Sequence, residues 1–95
     1  MYARVTHFNM KPEMVEDAKA RLEHMKPQVM SLPGIKHFIN SINDDGTGCV
    51  VAVVESREIS EANNDAVEKL WSIFADHLAA APEASGFEVI ANWSN

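Results

Sequence analysis

Ninety-five residues set the scale of one domain, residues 1–95, and with 46% apolar and 23% charged residues the chain reads as an ordinary globular protein, not a disordered or membrane-spanning one. Its formal charge of −6 leaves no cluster of Lys and Arg to displace counterions from a phosphate backbone, so nucleic acid is not expected as a partner. No stretch approaches the ~18 apolar residues of a membrane helix, the start Met1-Tyr2-Ala3-Arg4 has no leader pattern, and the lone Cys49 lies in an apolar run as a small buried thiol would, so a cytoplasmic setting is expected.

From Tyr2 to Met10 the chain is rich in strand formers, and Lys11-Pro12 ends the run because proline offers no amide to a ladder. Pro12 suits the first turn of a helix, with Glu13, Glu16 and Asp17 at its positive end. Met14, Ala18, Leu22, Met25 and Val29 then recur at intervals of three and four, an apolar stripe that predicts a helix to about Met30. Pro27 removes an amide inside it and predicts a kink or a break into a final short turn. Leu32-Pro33-Gly34 closes the element.

A second strand is predicted from Ile35 to about Asn43, with Ile35, His37, Ile39 and Ser41 on one face and Lys36, Phe38, Asn40 and Ile42 on the other. Asn43-Asp44-Asp45-Gly46-Thr47-Gly48 is a hairpin signal, because Asp and Gly tolerate the positive φ angles of tight turns. The third strand, about Cys49 to Glu55, is apolar throughout and belongs in the sheet interior. Ser60 or Asn64 is placed to cap a second helix carrying Val67, Leu70, Trp71, Phe74 and Leu78, and Gly86 opens a last strand, Phe87 to Trp93.

Strand, helix, strand written twice predicts an α+β fold: a ferredoxin-like βαββαβ unit with a four-stranded antiparallel sheet in the order 4-1-3-2. Its two helices cover one face. Val51, Val53, Phe38, Ile42, Val89 and Trp93 are too many apolar residues to lie beneath two helices, and an uncovered greasy face marks an interface. A face-to-face homodimer is therefore expected.

Several polar residues fall where a site could form. His77 follows Leu70 by seven and Phe74 by three, at the border of the apolar stripe, pointing toward a cleft between helix and sheet; its ordinary use is a satisfied packing residue, its functional use a proton carrier. Trp71 offers a flat wall for an aromatic ligand, or simply fills the core. His7 and Asn9 share a strand face, and His37 lies on the second strand; buried, they must satisfy one another or line a wet cavity. Arg4 is a candidate holder of an anionic or phenolate group, or a surface ion pair. No ligand pair has a recognised metal spacing and no serine carries a nucleophile signature, so neither a metal site nor hydrolase chemistry is expected.

The strand closing on Lys11-Pro12, the helical Pro27, the turn Leu32-Pro33-Gly34-Ile35, Glu55-Ser56 after the third strand and the ending Phe87-Glu88-Val89-Ile90 resemble the dimeric α/β barrel superfamily, and within it the antibiotic biosynthesis monooxygenase-like group. The resemblance spans nearly the whole chain and implies a dimeric α/β barrel, with chemistry ranging from cofactor-independent oxidation of aromatic polyketides or quinols to haem degradation. The haem-degrading branch uses Asn, Trp and His. Here the interval from Trp71 to His77 is shorter than that branch's pattern and Asn9 comes late on its strand, so haem is not assigned and no cofactor is expected. What the resemblance implies is a homodimeric, cofactor-independent monooxygenase for a small phenolic or quinol-type aromatic compound. His77 is its expected base, Trp71 the wall, and Asn9, His7, His37 and Arg4 the substrate-binding groups; the alternative is a non-catalytic binding or structural dimer.

Overall fold

The computed structural model describes residues 1–95 and orders them as β1 (Tyr2–Asn9), α1 (Val15–Met30), β2 (Ile35–Ile42), β3 (Thr47–Val54), α2 (Arg57–Ala62), α3 (Asn64–Ser72) and β4 (Glu83–Glu88). The four strands form one antiparallel sheet of order β2-β3-β1-β4, which is the predicted 4-1-3-2 read from the other edge. β1 and β3 fill the centre, as the apolar continuity of Val50 to Val54 requires.

The turn between β2 and β3 forms as its residues dictate. Gly46 takes φ 95° and donates its amide to the Asn43 carbonyl at 2.9 Å, while the Asp45 carboxylate accepts from the Thr47 amide at 3.0 Å and its hydroxyl at 2.7 Å. A Cβ at Gly46 would fall 1.9 Å from the Met10 carbonyl oxygen, so the backbones of turn and β1 can meet only at glycine. Lys36 forms a bulge: Ile35 pairs with Val54 but His37 with Val53. Ile35 thereby turns to the helix side, away from the face predicted for it beside His37.

α1 follows a single 3₁₀ turn at Pro12–Met14 and buries Val15, Ala18, Met25 and Val29, with Leu22 half-buried. Pro27 does not break it. Proline lacks the amide that would reach the Glu23 carbonyl, but Glu23 is exposed and the last turn closes with the Ser31 amide on the Pro27 carbonyl at 3.1 Å.

The predicted second helix is two helices. Ser56, not Ser60 or Asn64, caps α2, its hydroxyl accepting from the Ile59 amide at 3.2 Å. The junction falls at buried Asn63, whose side-chain amide donates to the Pro33 carbonyl at 3.0 Å. α3 ends at Ser72, short of Leu78, because the next backbone groups are claimed by the end of β1: Lys11 donates to the His77 carbonyl and Ala79 to the Asn9 carbonyl, both at 2.8 Å.

The last strand also lies earlier than predicted, at Glu83–Glu88 instead of Phe87–Trp93. Its only ladder is with β1, where Glu88 pairs with Tyr2 and the Val89 amide reaches the Met1 carbonyl at 3.0 Å. Beyond Val89 no β1 backbone remains to pair with. Ile90 and Trp93 are left 98% and 92% exposed.

Register sorts the sheet into two faces. Arg4, Thr6 and Phe8, with Val50, Ala52, Phe38, Asn40 and Ile42, face the helices, where Phe8, Val50, Met25, Val29 and Phe74 form the core. Ala3, Val5, Val51, Val53, Ile39 and Phe87 share the other face, with His7, Asn9 and His37 among them. No element covers that face, and Ile39 and Phe87 are 61% and 56% exposed. No helix is long and apolar enough to cross a membrane.

Candidate functional site

Between α1, α3 and the inner face of the sheet lies a cavity of about 710 Å³, of the size that takes a drug-like molecule. Sixteen of its 22 lining residues are hydrophobic. Trp71 is the aromatic wall, its ring tilted 57° against Phe8 at 5.5 Å and edge-on to Phe74 at 6.5 Å. Leu22, Met25, Val29 and Met30 of α1 form the opposite wall. On the α1 side the lining is supplied by Ala18, Leu22, Met25, Val29 and Met30, and on the sheet side by Phe38 and Val50 among others.

The polar groups in this lining are few. From β1 come Arg4 and Thr6, which alternate with the outward Val5 and so project together; from β2 comes Asn40; Lys19, Glu23 and Lys26 line the α1 side and are exposed. Arg4 Nη1 donates to the Asn64 side-chain oxygen, which fixes the guanidinium against α3. Its Nε is buried and donates to nothing. An arginine N–H taken from water without a partner is costly, and this one is sealed from solvent.

A smaller compartment of about 250 Å³ adjoins the cavity, sharing Arg4, Thr6 and Trp71 with it and adding Glu68, Pro82 and Ala84. Glu68 precedes Trp71 by three residues on α3 and so presents to the same side. Arg4 and Glu68 line this compartment together yet form no ion pair.

The residues singled out in the sequence separate into three places. Arg4 and Trp71 meet in the cavity. His7, Asn9 and His37 project from the opposite face of the sheet, where Asn92 of the C-terminal tail lies 3.3 Å from His37 Nε2. His77 is 3% exposed but does not line the cavity: it sits behind Phe74, edge-on at 5.5 Å, with Nε2 2.5 Å from Asp17 Oδ2. The cleft position predicted for it is thus corrected. Its partner lies sixty residues away in sequence and holds the start of α1 to the segment after α3. Hydrogen bonds from His77 and Arg21 hold the Asp17 carboxyl below its ordinary value of 3.8. The other ring nitrogen, Nδ1, is buried without a hydrogen-bond partner.

The Asn, Trp and His constellation of haem degradation is therefore not assembled, since Asn9 and Trp71 lie on opposite sides of the sheet and His77 is turned to Asp17. No group of three or more metal-ligating side chains occurs. Sequence reading missed Asp17 as the partner of His77, which only chain folding reveals. It also missed Glu68, which its spacing of three from Trp71 would have flagged.

No protein-family model and no curated protein matches this chain. Among its structural neighbours are proteins named as antibiotic biosynthesis monooxygenases, aligned over nearly their full length. A Bordetella bronchiseptica protein named as a candidate antibiotic biosynthesis monooxygenase superposes with a TM-score of 0.79 at 13% identity, covering 95% of this chain and 97% of that one. A Nitrosomonas europaea protein of unknown function gives 0.79 at 15% identity, over 99% of this chain and 93% of that one. A mutant of MhuD with two manganese protoporphyrin IX molecules bound per active site gives 0.74 at 19% identity over 100% of both chains. At such identities the likeness establishes the ferredoxin-like fold and leaves the reaction to the residues of the site.

Proposed function

We propose that this chain is a cofactor-independent monooxygenase for a small phenolic or quinol-type aromatic compound. The observation that carries the reading is an apolar cavity walled by Trp71, Phe8 and Phe74, with the Arg4 side chain among its few polar lining groups. A flat ring lies against Trp71 while its phenolic oxygen accepts from Arg4. The guanidinium favours the ionised oxygen, since an opposite charge at close range stabilises the charged form. The electron-rich anion then reacts with molecular oxygen among the apolar side chains of the cavity: one oxygen atom is inserted at a ring carbon, the other leaves as water, and the substrate loses four electrons. The names of the structural neighbours accord with oxidation of this kind.

The same proposal includes a homodimer formed through the uncovered face, where Val5, Val51, Val53, Ile39 and Phe87 present apolar surface that a second copy would remove from water. Oxygen uptake in the presence of hydroquinones and anthrone-type phenols tests turnover directly. Uptake above the spontaneous rate that is lost in Trp71→Ala is expected; uptake indifferent to this substitution refutes the assignment of the cavity. A second reading, ligand binding without turnover, draws on the absence of His77 from the cavity lining. It predicts saturable quenching of tryptophan fluorescence by the same phenols with no oxygen consumed.

A further inference from the structure

With His77 bonded to Asp17 behind Phe74, the cavity needs another proton acceptor, and we infer that Glu68 takes the phenolic proton in the small compartment beside Trp71. The inference deepens the proposed oxidation and rests on it. Arg4 and Glu68 carry opposite charges and line one space of about 250 Å³, yet they do not bridge. A group placed between them must accept from a guanidinium and donate to a carboxylate. A phenolic hydroxyl does both with one oxygen atom. Thr6, whose hydroxyl shares the lining and makes no hydrogen bond to the protein, offers that oxygen a second contact.

The geometry also explains why the two compartments share Trp71: the ring occupies the large apolar space and stacks on the indole, while its hydroxyl turns past the indole edge toward Arg4 and Glu68. In the step itself the O–H bond breaks, its electron pair stays on the phenolic oxygen beside Arg4, and a new O–H bond forms at Glu68. No electrons leave the substrate at this point. Glu68 is exposed on α3, so the acquired proton passes to solvent without reopening the cavity.

Glu68 and Arg4 act on the bound hydroxyl with opposite signs, and this separates a catalytic role from a structural one. 4-Nitrophenol reports its own ionisation by colour. In Glu68→Gln a negative charge beside the bound oxygen is removed, so bound 4-nitrophenol should ionise at lower pH than in the wild type, while oxygen uptake with a hydroquinone falls by about 100-fold or more. In Arg4→Gln bound 4-nitrophenol should ionise at higher pH. Glu68→Gln is an exposed, near-isosteric change and should leave the fold intact. Unchanged ionisation of bound 4-nitrophenol together with hydroquinone turnover within twofold of wild type would overturn the role of Glu68 and leave the oxidation standing. Failure of wild-type protein to bind 4-nitrophenol or consume oxygen would overturn both.

Discussion

Gly48 offers a test of the packing that shapes the cavity. It faces Phe8 across the β1–β3 ladder and Ile42 across β2–β3, in a conformation that does not require glycine. In an ordinary strand, replacing glycine by alanine stabilises by about 0.5–1 kcal/mol through the entropy of the unfolded chain. Here a Cβ would lie 2.2 Å from Phe8 Cζ, 2.5 Å from Phe8 Cε2 and 2.7 Å from the Ser41 carbonyl oxygen. The Phe8 ring has the cavity beside it, but the Ser41 carbonyl belongs to the β2 backbone and is held by the ladder with β3. Overpacking of this kind costs about 1–3 kcal/mol, so the clash outweighs the entropic gain and Gly48→Ala should lose roughly 0.5–2 kcal/mol net. For a domain of this size that lowers Tm by roughly 2–15 °C. Thermal and urea denaturation at matched protein concentration give the number. Adding Phe8→Leu, which removes both clashing ring atoms, should make the double variant more stable than the sum of the single losses. A Gly48→Ala protein as stable as wild type, or more so, would refute the packing assigned to this corner.

Arg4→Gln should weaken binding of a phenolate by about 1.5–3 kcal/mol, the worth of a hydrogen bond to a charged group, read as a 10- to 150-fold rise in Kd by tryptophan fluorescence. Asp17→Asn should destabilise at neutral pH with a gap that closes in acid: the folded carboxyl titrates below 3.8, so its contribution is present above that value and disappears as pH falls through the lower folded pKa. Parallel denaturation series at pH 7 and well below pH 3.8 check this, and a gap that stays constant with pH would contradict it. Val51→Lys, on the central strand of the uncovered face, should convert a dimer to a monomer in sedimentation equilibrium; an unchanged mass would exclude that face as the interface.

The sequence was most legible where structure is local. The apolar stripe of α1 survives Pro27 because a period of 3.6 over sixteen residues outweighs one missing amide near the exposed C-terminal turn. The turn at Asn43–Thr47 depends on its own residues and appears where Asp and Gly require it. The last strand was legible as a strand but not in register. Phe87 to Trp93 has the better composition, yet Glu83–Glu88 is the segment that pairs, its residues standing opposite His7 to Tyr2 of β1.

The candidate site was half legible. Arg4 and Trp71 both line the cavity, whereas His7, Asn9 and His37 fall on the other face because strand side chains alternate and one residue of register decides the side. His77 at the border of its stripe had two directions open, cavity or α1, and only the placement of Asp17 chose between them.

What the sequence alone determined, then, is the order of strands and helices, the hairpin and the excess of apolar surface, all of which follow from periodicity and turn chemistry among residues within a few positions of one another. The tertiary structure decided which charges confront each other: His77 with Asp17, and Arg4 with Glu68 across an unfilled compartment. Such encounters join residues about sixty positions apart. They depend on how far α1 stands from the sheet and where α3 stops, distances that packing sets and no local pattern encodes.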